Sequence, residues 1–222
     1  MSGAPRLPSG AEPRPLTAPW PEYLPDVLGV ATPPGWQDVA LAGLPATMSD
    51  HAHAEKKAAL SALSLLSREP SRTDLVDRMG KLALEELGHL DRVLAHLRRR
   101  GWTLQPDRPD RYANRLLGLR RAGGDEALMD RLLVSALIEA RSWERLHLLA
   151  SALDGARAVV DGGEELSAFY TELAHSEAGH YRLFVQLAEQ ECPGQDVRGR
   201  LGELAAAEAE IVAALPHEPR IH

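Results

Sequence analysis

The sequence predicts an all-α protein built around a four-helix bundle. Alanine and leucine dominate while aromatic residues make up only 5%, a balance that favours packed helices because strands prefer β-branched and aromatic side chains. Four long stretches repeat apolar residues at alternating spacings of three and four, as an inward-facing helix seam requires. No segment sustains the period-two alternation of a strand. With 222 residues, 44% of them hydrophobic, the chain is long enough for one domain with a real core.

The elements follow in order. Residues 1–35 carry nine of the sixteen prolines; proline lacks a donor N–H, so this reads as an extended arm, with Trp20, Tyr23, Leu24 and Val27 available to anchor it. The first long helix is predicted from Pro45 to Arg68, with a proline in its first turn and Pro70 beyond its end. The second runs from Arg72 to Arg100 and stops at Gly101. The third runs from Gly124 to Asp154, the fourth from Gly163 to Glu191. A long basic crossover joins the second to the third, with room for a short helix in Tyr112–Arg121. An extra C-terminal helix spans Asp196–Leu215. This divides the chain into an arm (1–35), a bundle (36–215) and a tail (216–222).

Polar residues break the seams at matching places. The second helix reads Leu75, Met79, Leu82, Glu86, His89, Val93, Leu97, and the fourth Leu166, Tyr170, Leu173, Glu177, His180, Phe184, Leu187. Each places Glu-x-x-His in an apolar stripe. The first reads Met48, Ala52, Glu55, Ala59, Ala62, Leu66, and the third Leu132, Ala136, Glu139, Trp143, Leu146, Ala150, each with one inward glutamate. The chain thus looks like two related hairpins, each supplying half a site. Glu-x-x-His alone is a weak signal, since Glu144 with His147 and Glu172 with His175 match it too. Glu172 and His175 share a solvent face with Arg182, and Glu85 one with Arg78, Lys81 and Arg92. Glu144 and His147 lie on a helix apolar over much of its circumference and are open to either reading.

A buried, uncompensated carboxylate costs several kcal/mol, whereas four carboxylates around two divalent ions sum to zero charge. Residues at i and i+3 share a face, so each Glu-x-x-His pair can grip one ion and the lone glutamates can complete or bridge the coordination. Mixed carboxylate and imidazole donors suit iron or manganese. This is the pattern of ferritin-like di-iron and di-manganese proteins, and it makes Glu55, Glu86, His89, Glu139, Glu177 and His180 the candidate metal ligands. Surface charge on misjudged registers would explain one helix but poorly explains four in agreement.

The stretches His53-Ala54-Glu55-Lys56-Lys57-Ala58-Ala59, Glu85-Glu86-Leu87-Gly88-His89, Ile138-Glu139-Ala140-Arg141-Ser142-Trp143-Glu144-Arg145 and Phe169 to Tyr181 resemble the MiaE family over about residues 35–192. That resemblance implies a ferritin-like di-iron tRNA hydroxylase holding two iron ions on the same six ligands. It would act with dioxygen and two electrons from a separate reductase on the isopentenyl group of 2-methylthio-N(6)-isopentenyladenosine, in the anticodon loop at position 37. Trp143 is larger than expected at its position. Ala52, Ala59 and Ala136 either leave room for the prenyl group or allow close helix packing.

A tRNA substrate needs phosphate contacts. From residue 98 to residue 121, eight arginines (Arg98, Arg99, Arg100, Arg108, Arg111, Arg115, Arg120, Arg121) against Asp107 and Asp110 leave a local charge of +6 on a chain of −7. Trp102 and Tyr112 are interleaved and could stack on bases; a solvated basic loop facing an acidic bundle is the plainer alternative. The single cysteine, Cys192, cannot staple the fold and fits a reducing cytoplasm. No apolar run approaches the roughly 20 residues of a membrane span. No long unclaimed apolar stripe remains, which favours a monomer. Three other functions share part of this pattern: a ferritin-like storage or peroxide-scavenging protein, a di-iron oxygenase acting on a small molecule or lipid, and a metal-free helical scaffold.

Overall fold

The computed structural model describes residues 27–156 and 160–222. Among them are seven helices and no strand: α1 (Trp36–Ala42), α2 (Leu44–Arg68), α3 (Thr73–Arg99), α4 (Arg111–Leu117), α5 (Gly124–Gly155), α6 (Gly163–Glu191) and α7 (Val197–Ala213). The ferritin-like bundle expected from the seams is formed by α2, α3, α5 and α6, and every predicted long helix lies within two residues of its expected ends. None of the helices is long and apolar enough to cross a membrane. Trp20, Tyr23 and Leu24 lie outside the described residues, while Val27 packs against the core.

Local chemistry accounts for the boundaries. Pro45 sits in the first turn of α2, where its missing N–H costs nothing. Asp110 and Asp196 accept from the backbone N–H groups of Ala113 and Gly199 and cap α4 and α7. Helix α1 went unpredicted because seven residues between prolines and Gly43 are too short to show a period. Tertiary contacts hold it instead: Trp36 is buried, its indole N–H donates to the Arg220 carbonyl at 3.1 Å, and the Arg145 guanidinium lies over its ring.

Helix α2 pairs with α3, and α5 with α6; α5 also packs against α1, α4 and α7, which explains its apolar circumference. The core divides into two apolar clusters. One contains Ala62, Leu65, Leu75, Met79, Leu132, Phe184 and Leu187. The other contains Met48, Ala52, Val93, Leu97, Leu146, Leu166 and Leu173. Along each of the four helices the chain passes from one cluster to the other through the predicted polar positions, so the carboxylates and imidazoles form a layer across the middle of the bundle.

Candidate metal centre

Each helix delivers its part of the layer from its apolar face. Glu55 (α2), Glu86 and His89 (α3), Glu139 (α5), and Glu177 and His180 (α6) are all buried. Ligand atoms of Glu55, Glu86, His89 and Glu177 lie within 4.8 Å of one another, and so do those of Glu86, Glu139, Glu177 and His180. Glu86 and Glu177 belong to both groups. Sequence reasoning left the lone glutamates free to bridge; the geometry puts the shared position on the two glutamates of the Glu-x-x-His pairs.

The electrostatics of the layer demand positive charge. Burial raises the pKa of Glu55 and Glu86, and burial together with the charge of Glu177 raises Glu139 well above the carboxylate range. Burial also works against protonation of His89, yet the Glu55 and Glu86 carboxylates outweigh it and push the imidazole up to about 10. His180 is pushed up more strongly, its burial outweighed by Glu177, Glu85 and Glu86. Glu86 Oε1 and both ring nitrogens of His180 are buried without an aligned hydrogen bond, although His180 Nδ1 is 3.1 Å from Glu86. His89 Nδ1 likewise sits 3.3 Å from Glu86 and 3.6 Å from Glu55. Both imidazoles thus turn Nδ1 toward the carboxylates. Two divalent ions fit this donor set in charge and in ligand type.

Two supporting residues escaped the sequence reading. Glu85, assigned to a solvent face, is half-exposed but places its carboxylate 3.3 Å from His180 Nε2, where it favours a proton on that nitrogen and leaves Nδ1 free to ligate. His51 stands one turn before Glu55 and contacts its carboxylate at 2.7 Å through Nε2. Burial lowers the His51 pKa to about 4, so the ring is neutral and donates its Nε2–H to Glu55. The i−4 spacing from a ligand was the available signal.

A cavity of about 540 Å³ opens beside the layer. Glu55, Glu86, Glu139 and Glu177 form one wall; Ala54, Ala58, Ile138, Leu146 and Phe184 supply apolar surface, and Ser61 and Asn114 stand at its exposed edge. Ala52, Ala59 and Ala136 are buried and do not line it, so they serve helix packing; Ala54 and Ala58, on the neighbouring face of α2, make the room. Trp143 is half-buried between the two core clusters and stacks on His147, away from the cavity lining.

The most distinctive stretch of α5 proves to be a tether. Buried Arg141 donates to both oxygens of buried Glu208 at 2.9 Å, to the Val30 carbonyl, and to Glu144. Glu144 accepts the Thr32 N–H and hydroxyl, and Arg145 donates to the Ile221 carbonyl. The residue pair left open, Glu144 and His147, is therefore apart from the carboxylate layer: Glu144 holds Thr32, and His147 is exposed. Glu172 and His175 are exposed as expected, with Glu172 bound to Arg92. The tail forms part of the cavity wall: Ile221 and His222 line it, His222 Nε2 contacts the Ser142 hydroxyl at 2.7 Å, and Asp50 accepts from the Ile221 N–H and from Arg220.

The arginine series divides. Arg99 and Arg100 pair with Glu165, Arg98 faces Asp91, and Arg121 binds Asp130 and Glu126. Arg108 lines the cavity. Arg111, Arg115 and Arg120 are exposed. Trp102 is half-buried, and Tyr112 is buried with its hydroxyl donating to Glu208, so Tyr112 does not offer a stacking surface.

Comparison with known proteins shows what the whole chain is similar to. The family model described as tRNA-(MS[2]IO[6]A)-hydroxylase (MiaE) matches residues 22–222. A Pseudomonas putida protein named tRNA 2-(methylsulfanyl)-N(6)-isopentenyladenosine(37) hydroxylase is 40% identical over 195 residues, covering 88% of this chain and 91% of its own length. A Salmonella typhimurium protein of the same name is 34% identical over 154 residues, 69% of this chain and 53% of its own length. Among solved structures, a Synechococcus protein described as having aldehyde deformylating oxygenase activity superposes with a TM-score of 0.77 at 34% identity, covering 86% of this chain and 93% of its own.

Proposed function

The chain belongs to the MiaE family, and on that premise we propose that it hydroxylates the isopentenyl group of 2-methylthio-N(6)-isopentenyladenosine at position 37 of tRNA. The observation that carries this reading is the cavity, which joins an exposed edge to a wall of four buried carboxylates. Glu55 and His89 would hold one iron, Glu139 and His180 the other, and Glu86 and Glu177 would be shared. When bound, the two irons supply the redox chemistry by which one atom of dioxygen enters a C–H bond and the other leaves as water, with two electrons and two protons from outside.

The protein's own residues do the rest. Ala54, Ala58, Ile138, Leu146 and Phe184 give the prenyl chain an apolar site beside the carboxylate wall and exclude water from it. His51 and Glu85 hold Glu55 and His180 in their ligating orientations. A base in a single-stranded loop can be splayed into such a pocket without breaking a duplex. Electrons would come from a separate reductase, and the reaction would take place where tRNA resides, in the cytoplasm.

The likeness to the Synechococcus protein favours one other reading, deformylating oxygenation of an aldehyde in the same cavity. The two separate in one assay. Iron-loaded protein, a reductant and dioxygen are given either prenylated, methylthiolated tRNA or a long-chain aldehyde. Nucleoside mass spectrometry should show a product one oxygen atom heavier from the tRNA and no change in the aldehyde. Aldehyde consumption with unaltered tRNA would replace this reading by the other.

A further inference from the structure

Beyond the cavity, the end of α2 and the first turns of α5 enclose a second hollow whose chemistry the centre does not use. Arg68, Arg120, Arg121 and Arg131 line it, with Glu69 as the lone carboxylate. Arg121 is committed to Asp130 and Glu126, and Glu69 is bound to Arg72 at 3.2 Å. Arg68, Arg120 and Arg131 have no carboxylate within ion-pair range among the described residues. Arg131 is half-buried, and burial together with the charges of Arg68 and Arg120 depresses its pKa. Three guanidinium groups crowd one hollow with no ion-pair partner of their own, and only the Glu69 charge, itself bound to Arg72, acts against their repulsion at Arg131; on a chain of net charge −7 that is an arrangement an anion would relieve.

The hollow adjoins the cavity. Leu117 lines both, and Arg131 donates to the carbonyl of Ser61, which is itself at the cavity's exposed edge. Ser135 lines the cavity and Arg131 the hollow; four residues of helix separate them by about 6 Å, a distance comparable to that between successive phosphates of a nucleic-acid strand. We infer that Arg68, Arg120 and Arg131 form the docking site for backbone phosphate of the tRNA strand whose modified base enters the cavity. The inference rests on the tRNA-hydroxylase reading and moves the principal phosphate contact from the ion-paired Arg98–Arg100 run to a site spread over α2, α4–α5 and α5.

The test is binding of prenylated, methylthiolated tRNA to the iron-loaded full chain across a salt series, with steady-state kinetics alongside. Arg68→Ala/Arg131→Ala should lower affinity by roughly tenfold or more, as loss of charge-assisted contacts does. It should also flatten the log affinity against log salt slope by about 0.7 per lost contact. KM should rise with kcat unchanged at saturation, and Lys81→Ala, on the solvent face of α3, should match the unaltered protein. If the double variant loses its iron or its helical signal, Arg68→Ala/Arg120→Ala, at two exposed positions, decides by the same criteria. Unchanged affinity and salt slope in a protein that still hydroxylates tRNA would overturn the hollow and leave the function standing. An unaltered protein that neither binds nor hydroxylates the tRNA would overturn both.

Discussion

Glu85 illustrates what a single side chain adds to the centre. It is half-exposed, yet its carboxylate sits 3.3 Å from His180 Nε2, and such partners fix the tautomer and the basicity of an imidazole ligand. Glu85→Gln should therefore leave the fold intact while lowering the affinity for one of two irons by about 10-fold to 100-fold, read by iron retention during graded chelation. Equal retention by both proteins would remove Glu85 from the centre. The six residues of the layer were legible because each interrupts an apolar seam. Glu85 was not, because its own position on α3 belongs to the polar face and only the long reach of a glutamate brings it inward. Nor was the place of Glu86 and Glu177 in both ligand groups, which depends on how the two hairpins face each other.

At the level of elements, α5 carries the burden of assembly. Arg141 and Glu208 are both fully buried, and their contact joins α5 to α7. Removing one partner of such a pair leaves an unpaired charge, so Glu208→Ala should cost about 3–5 kcal/mol in urea unfolding, and Arg141→Met/Glu208→Leu should recover much of it. A cost below about 1 kcal/mol would contradict the tether. Asp130 makes a second tie. Burial opposes its ionisation, but Arg200 and Arg121 bind it and hold its carboxyl far below the ordinary range. Because the folded pKa is depressed, its contribution is complete above the unfolded value of about 3.9 and is lost as pH falls below it. Asp130→Asn should lower stability near neutral pH and flatten the loss between about pH 4 and pH 2; an acid limb as steep as that of the unaltered protein would sink this account. Helix lengths and ends were legible from periodicity, proline and glycine. The role of the Arg141–Arg145 stretch was not, since its partners at Thr32, Glu208 and Ile221 lie 67 to 113 residues away along the chain.

For the whole molecule, the bundle follows from two hairpins that each bury half of a carboxylate layer, whose charge two divalent cations would balance. Its general plan could be read from the sequence because the same pattern recurs twice. What could not be read is how the chain's outer segments come together: α1 and the tail meet where Trp36 donates to Arg220, 184 residues apart, and Gly43 lies so close to Pro219 that an added Cβ would stand 2.5 Å from it. Leu60, Leu63, Leu84 and Leu87 stand exposed on α2 and α3, outside the inward seams that the periodicity marked. The central claim is a two-ion centre joined by two shared glutamates, and iron content per chain tests it most directly. The account predicts two irons in the unaltered protein, about one in Glu139→Ala, and almost none in Glu86→Ala or Glu177→Ala, because each shared carboxylate serves both ions. Two irons retained in folded Glu86→Ala would contradict it.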